Sequence, residues 1–231
     1  MAELPVESRQ IIWLSCALAF VGGYGDAASF VLAKTFTGHL TGNFVLTAIS
    51  LAAQDWPNFS RRLLAIALFL AGILLSVTLE QWLVKRPARS LLPMVLALEI
   101  TLILAAFFAL AAPLAAGLEL FVIFMALALG LQNGAWRGAG GLTVHSTYVT
   151  GMVTNLMALG AKRYLTQAAR ETRTDPRASL LLSIWLAFVS GALLGAVLVF
   201  YFSFRGILGM AAVLLALLAM LIISGRTKPP L

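Results

Sequence analysis

Polar side chains occur in two stretches of this chain where the surrounding sequence is apolar. Gly22-Gly23-Tyr24-Gly25-Asp26-Ala27-Ala28-Ser29-Phe30 is followed by Thr37-Gly38-His39-Leu40-Thr41-Gly42-Asn43, inside a run that is otherwise apolar from Ile11 to Ala53. A carboxylate near the middle of a spanning helix costs about 2.5–3.5 kcal/mol on insertion scales, and such residues face a bundle interior or a water-filled cavity. Asp26 is therefore the first candidate for chemistry, as a carrier of a proton or a holder of a cation. Its competing role is to cap a helix that restarts at Ala27, which Asp does well. Thr41 and Asn43 can cap the short helix that begins there or line a site with its positive dipole end, two roles that are compatible. Gln132, Asn133, Thr150 and Asn155 are their counterparts in type later in the chain. With Asp26 they form the expected substrate- or ion-binding set. Glu99 is a second intramembrane acid, suited to coupling or to an interhelical hydrogen bond in its protonated form. Arg137 is either a counter-ion for Asp26 or a side chain that snorkels to the interface. His39 and His145 have no carboxylate or thiol at ligand spacing, so no metal site is expected. Neither a cofactor nor an enzymatic Ser/His arrangement is expected.

The elements that must position these residues follow from composition. Of the 231 residues, 61% are hydrophobic and 11% charged, against about 45–50% and 25% in soluble domains. The chain is an integral membrane protein by this measure, with the lipid bilayer as its partner. The net charge of +7 comes mostly from short loops between apolar runs, where the positive-inside rule places Lys and Arg. No nucleic-acid partner is expected. Cys16 is the only cysteine, which excludes an intrachain disulfide. The acidic start, with Glu3 and Glu7 against Arg9, argues against a cleaved signal peptide.

The apolar pattern predicts full spans over about 11–33, 63–84, 91–112, 120–136, 180–202 and 207–224. The first is expected to be interrupted near Gly22-Gly23, and the fourth at Gln132-Asn133-Gly134. Two shorter segments, about 41–54 and 150–161, are too short for the roughly 30 Å hydrocarbon core and are expected to be re-entrant or half-helices. A shift of 109 positions lays Gly25 on Gly134 and Thr41-Gly42 on Thr150-Gly151, and a longer offset lays 68–79 on 187–198. The expected fold is one all-α membrane domain of two repeats, about 11–112 and 119–224. With six crossings and the N-terminus inside, only Lys34, Arg61, Arg62 and Arg205 of the 16 basic residues lie outside. That division favours six crossings over eight, and three spans per repeat makes the repeats inverted, as in many secondary transporters.

Gly25-Asp26-Ala27-Ala28-Ser29-Phe30, Phe36-Thr37-Gly38-His39-Leu40-Thr41-Gly42-Asn43, Gly130-Leu131-Gln132-Asn133-Gly134 and Thr150-Gly151 together resemble the YoaK-like family of bacterial membrane proteins, a domain of unknown function. The resemblance covers nearly the whole chain. It implies a six-span inner-membrane protein, and it implies no substrate. The residues themselves lead to the expectation of a small secondary transporter or permease, a homo-oligomer in one variant, with both termini cytoplasmic. Its site would lie between the repeats, coupled to a proton or cation through Asp26. The rival expectation is a membrane scaffold or accessory subunit whose polar stretches only pack helices.

Overall fold

The computed structural model describes residues 6–84, 91–136, 138–139, 142–143, 149–165 and 176–223. The basic turn at 85–90, Arg137, His145, the centre of the hydrophilic loop and the C-terminal tail lie outside the described residues. Eight α-helices are described: α1 (Val6–Ala33), α2 (Leu40–Ala52), α3 (Trp56–Val84), α4 (Leu91–Ala111), α5 (Gly117–Ala135), α6 (Val149–Leu165), α7 (Pro176–Phe202) and α8 (Leu208–Ile223). A two-residue antiparallel ladder, β1 (Gly138–Ala139) with β2 (Leu142–Thr143), lies between α5 and α6. It is a small departure from the all-α expectation.

Among the described residues, five stretches are long and apolar enough to cross a membrane: Ile12–Ala33, Trp56–Leu83, Leu91–Ala111, Gly117–Ala135 and Ala178–Ile223. The last holds two helices. Ser203 takes a left-handed φ of 54° after α7, a 3-10 turn covers Ser203–Ile207, and Gly206 packs back on the backbone of Leu198 and Val199. The chain therefore turns there, and α8 leaves α7 to pack on α4 and α1. The outward surface is apolar, with Leu74, Phe108, Leu193, Phe200 and Ile223 all exposed. On α3 the exposed Trp56 and Trp82 lie about 39 Å apart along the axis. That separation suits indole rings at the two headgroup levels.

The expected breaks in the first and fourth spans do not occur. Both α1 and α5 are continuous through Gly22-Gly23 and Gln132-Asn133-Gly134. Their glycines are used for packing instead. A β-carbon at Gly23 would strike the carbonyl of Phe188 in α7, and one at Gly191 the carbonyl of Phe20. Between α3 and α5, Gly130 lies against the Phe69 carbonyl, and a β-carbon on Gly72 would be 2.5 Å from the Leu127 oxygen. Backbones this close exchange side-chain volume for dispersion contact along the whole helix, which is how helices associate in lipid. The helices of each pair run parallel, because contacts advance together: Phe20 with Gly191 then Tyr24 with Gly195, and Phe69 with Gly130 then Ser76 with Gly134. In contrast, α1 and α5 run antiparallel, with Gly25 against Leu129 and Leu18 against Gln132. The core lies among α1, α4, α5 and α8, where Leu18, Tyr24, Leu96, Ile103, Met125 and Leu214 are fully buried.

The third helix begins earlier than the sequence suggests, at Trp56, so that Arg61 and Arg62 are helical and do not belong to a loop. Asp55 starts it: its carboxylate accepts from the backbone N–H of Asn58 at 3.3 Å and the Asn58 side chain at 2.6 Å. These bonds hold the Asp55 carboxyl below its ordinary value of 3.8. Helix α6 is also longer than expected, reaching Leu165, and α7 starts at Pro176, a residue suited to a first helical turn.

Candidate functional site

After α1 the chain reverses. Lys34 adopts a left-handed φ of 55°, and residues 35–39 return along α1 to the level of Asp26, about 10 Å below the end of the helix. Three successive backbone N–H groups converge on one carboxylate oxygen there: Thr37 at 3.1 Å, Gly38 at 2.6 Å and His39 at 3.1 Å, all to Asp26 Oδ1. Hydrogen bonds to a charged acceptor contribute about 1.5–3 kcal/mol, so this oxygen fixes the segment. The other oxygen, Oδ2, is buried and has no hydrogen-bond partner among the described residues. Since α1 is continuous, Asp26 does not cap a helix restarting at Ala27. It holds the approach to α2 from a distance.

Asn43 closes the same loop from the α2 side. Its side-chain oxygen accepts from the Phe36 N–H at 3.0 Å and its amide donates to the Phe36 carbonyl at 2.6 Å, so it pairs with that residue as a second strand would. It is buried. Gly42 lets the His39 and Phe36 rings close over it, since a β-carbon would lie 2.5 Å from His39 Cδ2 and 3.1 Å from the Phe36 ring. Phe36 in turn stacks on Phe30 with ring centres 4.6 Å apart. Ser29 and Thr37 share a hydroxyl hydrogen bond of 2.9 Å. Thr41 is exposed and lies 3.5 Å from His39 Nε2.

From this depth α2 climbs back to the end of the bundle from which the loop descended. Arg62, buried near the start of α3, donates to the Lys34 carbonyl, to the Leu46 carbonyl at 2.7 Å and to the Ser50 hydroxyl. Arg61 donates to the Ala33 carbonyl and forms an ion pair with Glu119 on the first turn of α5 at 3.0 Å. The end of α1, the second half of α2 and the starts of α3 and α5 therefore lie together. The two arginines bring positive charge to carbonyls at the end of α1 and along α2. Sequence reading missed this role for both, although two adjacent arginines beside a short helix were its signal.

Asp26, Thr41 and Asn43 are thus brought together, and the remaining candidates lie elsewhere. Gln132 donates to the Leu18 carbonyl at 3.0 Å and Asn133 to the Leu129 carbonyl at 3.0 Å, on the far side of the α1–α5 crossing from Asp26. Trp136 donates to the Ser15 hydroxyl at 3.0 Å beside them. Asn155 is exposed on α6, and Thr150 is in its first turn. Glu99 is buried in α4 with neither oxygen hydrogen-bonded among the described residues. Arg137 lies outside the described residues.

A bundle of long apolar helices, with its polar groups turned inward and its apolar side chains outward, defines an integral membrane protein of the multi-pass helical class. Within that class the chain belongs to the family described as Protein of unknown function (DUF1275), whose model matches residues 14–221. No curated protein and no solved structure matches it.

Proposed function

We propose that this chain is a small secondary transporter of the bacterial inner membrane, with six crossings, two inverted repeats and an ion or proton site at Asp26. The observation that carries the reading is the divided use of the Asp26 carboxylate. One oxygen holds the returning loop by three N–H groups, and the other is buried, unpartnered and beside the first turn of a short helix. A carboxylate at such a place is equipped to take a proton or a small cation, with the positive end of α2 available for an anionic group of the substrate.

The repeat reading draws on the helix contacts. Adding 107 to positions in α1 and 119 to positions in α3 converts Phe20–Gly191 into Leu127–Gly72, and Gly23–Phe188 into Gly130–Phe69. The register between the first helices is therefore 107, two residues less than the sequence alignment suggests, and it lays Asp26 on Asn133. Because α1 and α5 run antiparallel, repeats related this way are inverted. On this reading α2 is re-entrant, since both its flanking helices meet at one end of the bundle through Arg61 and Arg62, and α6 is its counterpart.

The scaffold reading is favoured by the same three hydrogen bonds, which give Asp26 a sufficient structural role. Asp26→Asn separates the two. The amide oxygen of Asn can accept the same three N–H groups as weaker, neutral hydrogen bonds, and charge and titration are lost. An unbiased metabolite comparison of deletion and overexpression strains should identify accumulated or depleted compounds, and purified protein in vesicles should move them. Asp26→Asn should abolish that movement while the variant still folds, with a melting temperature nearer to wild type than that of Asp26→Ala. Unaltered movement in the variant would sink the coupling role.

A further inference from the structure

Glu99 lies midway along α4 and is completely buried, and neither carboxyl oxygen meets a donor or acceptor among the described residues. The helices packed on α4 offer it no charge. In α8 there is no ionisable residue, and α5 carries only Glu119, on its first turn and bound to Arg61. The antiparallel register that sets Gly117 of α5 against Ala109 puts Glu99 near the level of Leu127, about 12 Å along the axis from Glu119. Arg205 of the 3-10 turn is exposed. On α3, which meets α4 at few points, Arg61 and Arg62 are engaged at the end of the bundle and Glu80 lies toward the other end. An isolated carboxylate in such surroundings costs far more than a bound proton. A leucine would fill the same place without any polar cost, and intramembrane acids placed in the bundle interior mark ion and proton paths.

We propose that Glu99 is a proton-binding site in the seam that α4 forms with α5 and α8, distinct from Asp26, which gains and loses its proton as that seam opens. The use made of the proton rests on the transport reading, and the binding and exchange do not. The test uses the full chain in lipid bilayers. The infrared difference between wild type and Glu99→Gln should contain the carbonyl stretch of a protonated carboxylic acid, and that band should move to lower frequency within hours of transfer to D2O. Dicyclohexylcarbodiimide provides a second readout. The acid proton passes to one reagent nitrogen and the carboxylate oxygen bonds to the central carbon. The acyl group then migrates to nitrogen, so the Glu99 peptide gains one reagent mass and nothing leaves. That adduct should fall at least tenfold once the bilayers are held at a pH where the carbonyl band has disappeared. Glu99→Leu keeps the core filled and assigns the band if the Gln variant fails to fold. Absence of the band overturns the proposal. So does a band that stays at its H2O frequency for days at every pH, because a sealed structural acid cannot exchange. A metabolite screen without hits would leave this measurement intact, and a sealed Glu99 would leave the Asp26 reading standing.

Discussion

At the scale of single residues, the motif around Asp26 combines two demands in one carboxylate. Asp26→Ala removes the acceptor of three backbone N–H groups and should cost about 3 kcal/mol or more, seen as a lower melting temperature in detergent, whereas Asp26→Asn, which keeps an acceptor there, should cost less. Asn43→Leu leaves the Phe36 N–H and carbonyl unpaired in a half-buried place and should cost about 2 kcal/mol. If both variants melt with wild type, the clamp is not what holds the loop. The importance of Asp26 and Asn43 was legible in the sequence, because polar groups in an apolar run need a reason. Their partners were not legible, since the groups they bind are backbone atoms of residues 36–39, which carry no side-chain signature. Arg62 was misread for the same reason: its acceptors are the carbonyls of Lys34 and Leu46.

At the scale of elements, glycine does the opposite of what its helix propensity suggests. Glycine in a helix interior costs about 0.5–1 kcal/mol against alanine, yet Gly23, Gly72, Gly130 and Gly191 each sit where a β-carbon would enter the backbone of a neighbour. Gly191→Val should therefore separate α7 from α1 and prevent a stable fold, read as loss of the monodisperse peak in size-exclusion chromatography. Gly160 in α6 has nothing within 4 Å of a β-carbon. Gly160→Ala should raise stability by about 0.5–1 kcal/mol. The sequence alone suggested chain breaks at Gly22-Gly23, because propensity is local and the compensating contact comes from a distant helix. The start of α3 offers a pH test. Asp55 is held below 3.8 by Asn58, so its stabilising contribution is full above the ordinary carboxylate range and is lost as pH falls through the lowered value. Asp55→Ala should melt below wild type at neutral pH, with the gap closing in strong acid.

At the scale of the molecule, the six-crossing reading makes a topological prediction. Reporter fusions at the basic turn near Pro87 and at residue 231 should both report cytoplasm, in keeping with the positive-inside rule. An external signal at Pro87 would require eight crossings. Span positions and the membrane class were legible from hydropathy, since lipid demands long apolar helices. The partnering of α1 with α7 and of α3 with α5 was beyond reach, because a spanning helix presents a similar apolar surface to every neighbour, and selection among neighbours lies in the fit of small residues.

That partnering also sets a schedule for biogenesis. The helix α1 is the least apolar of the five candidate spans, and its closest companion is made 165 positions later, as the contact of Gly23 with Phe188 measures. At about 5–20 residues per second of synthesis, Gly23 waits roughly 8–33 s before Phe188 is made. During that interval the first helix lacks the neighbour that fits its glycines, and we expect the insertion machinery to shelter it. Ribosomes stalled before codon 188 should accordingly leave α1 crosslinked to that machinery, and release should follow the completion of α7.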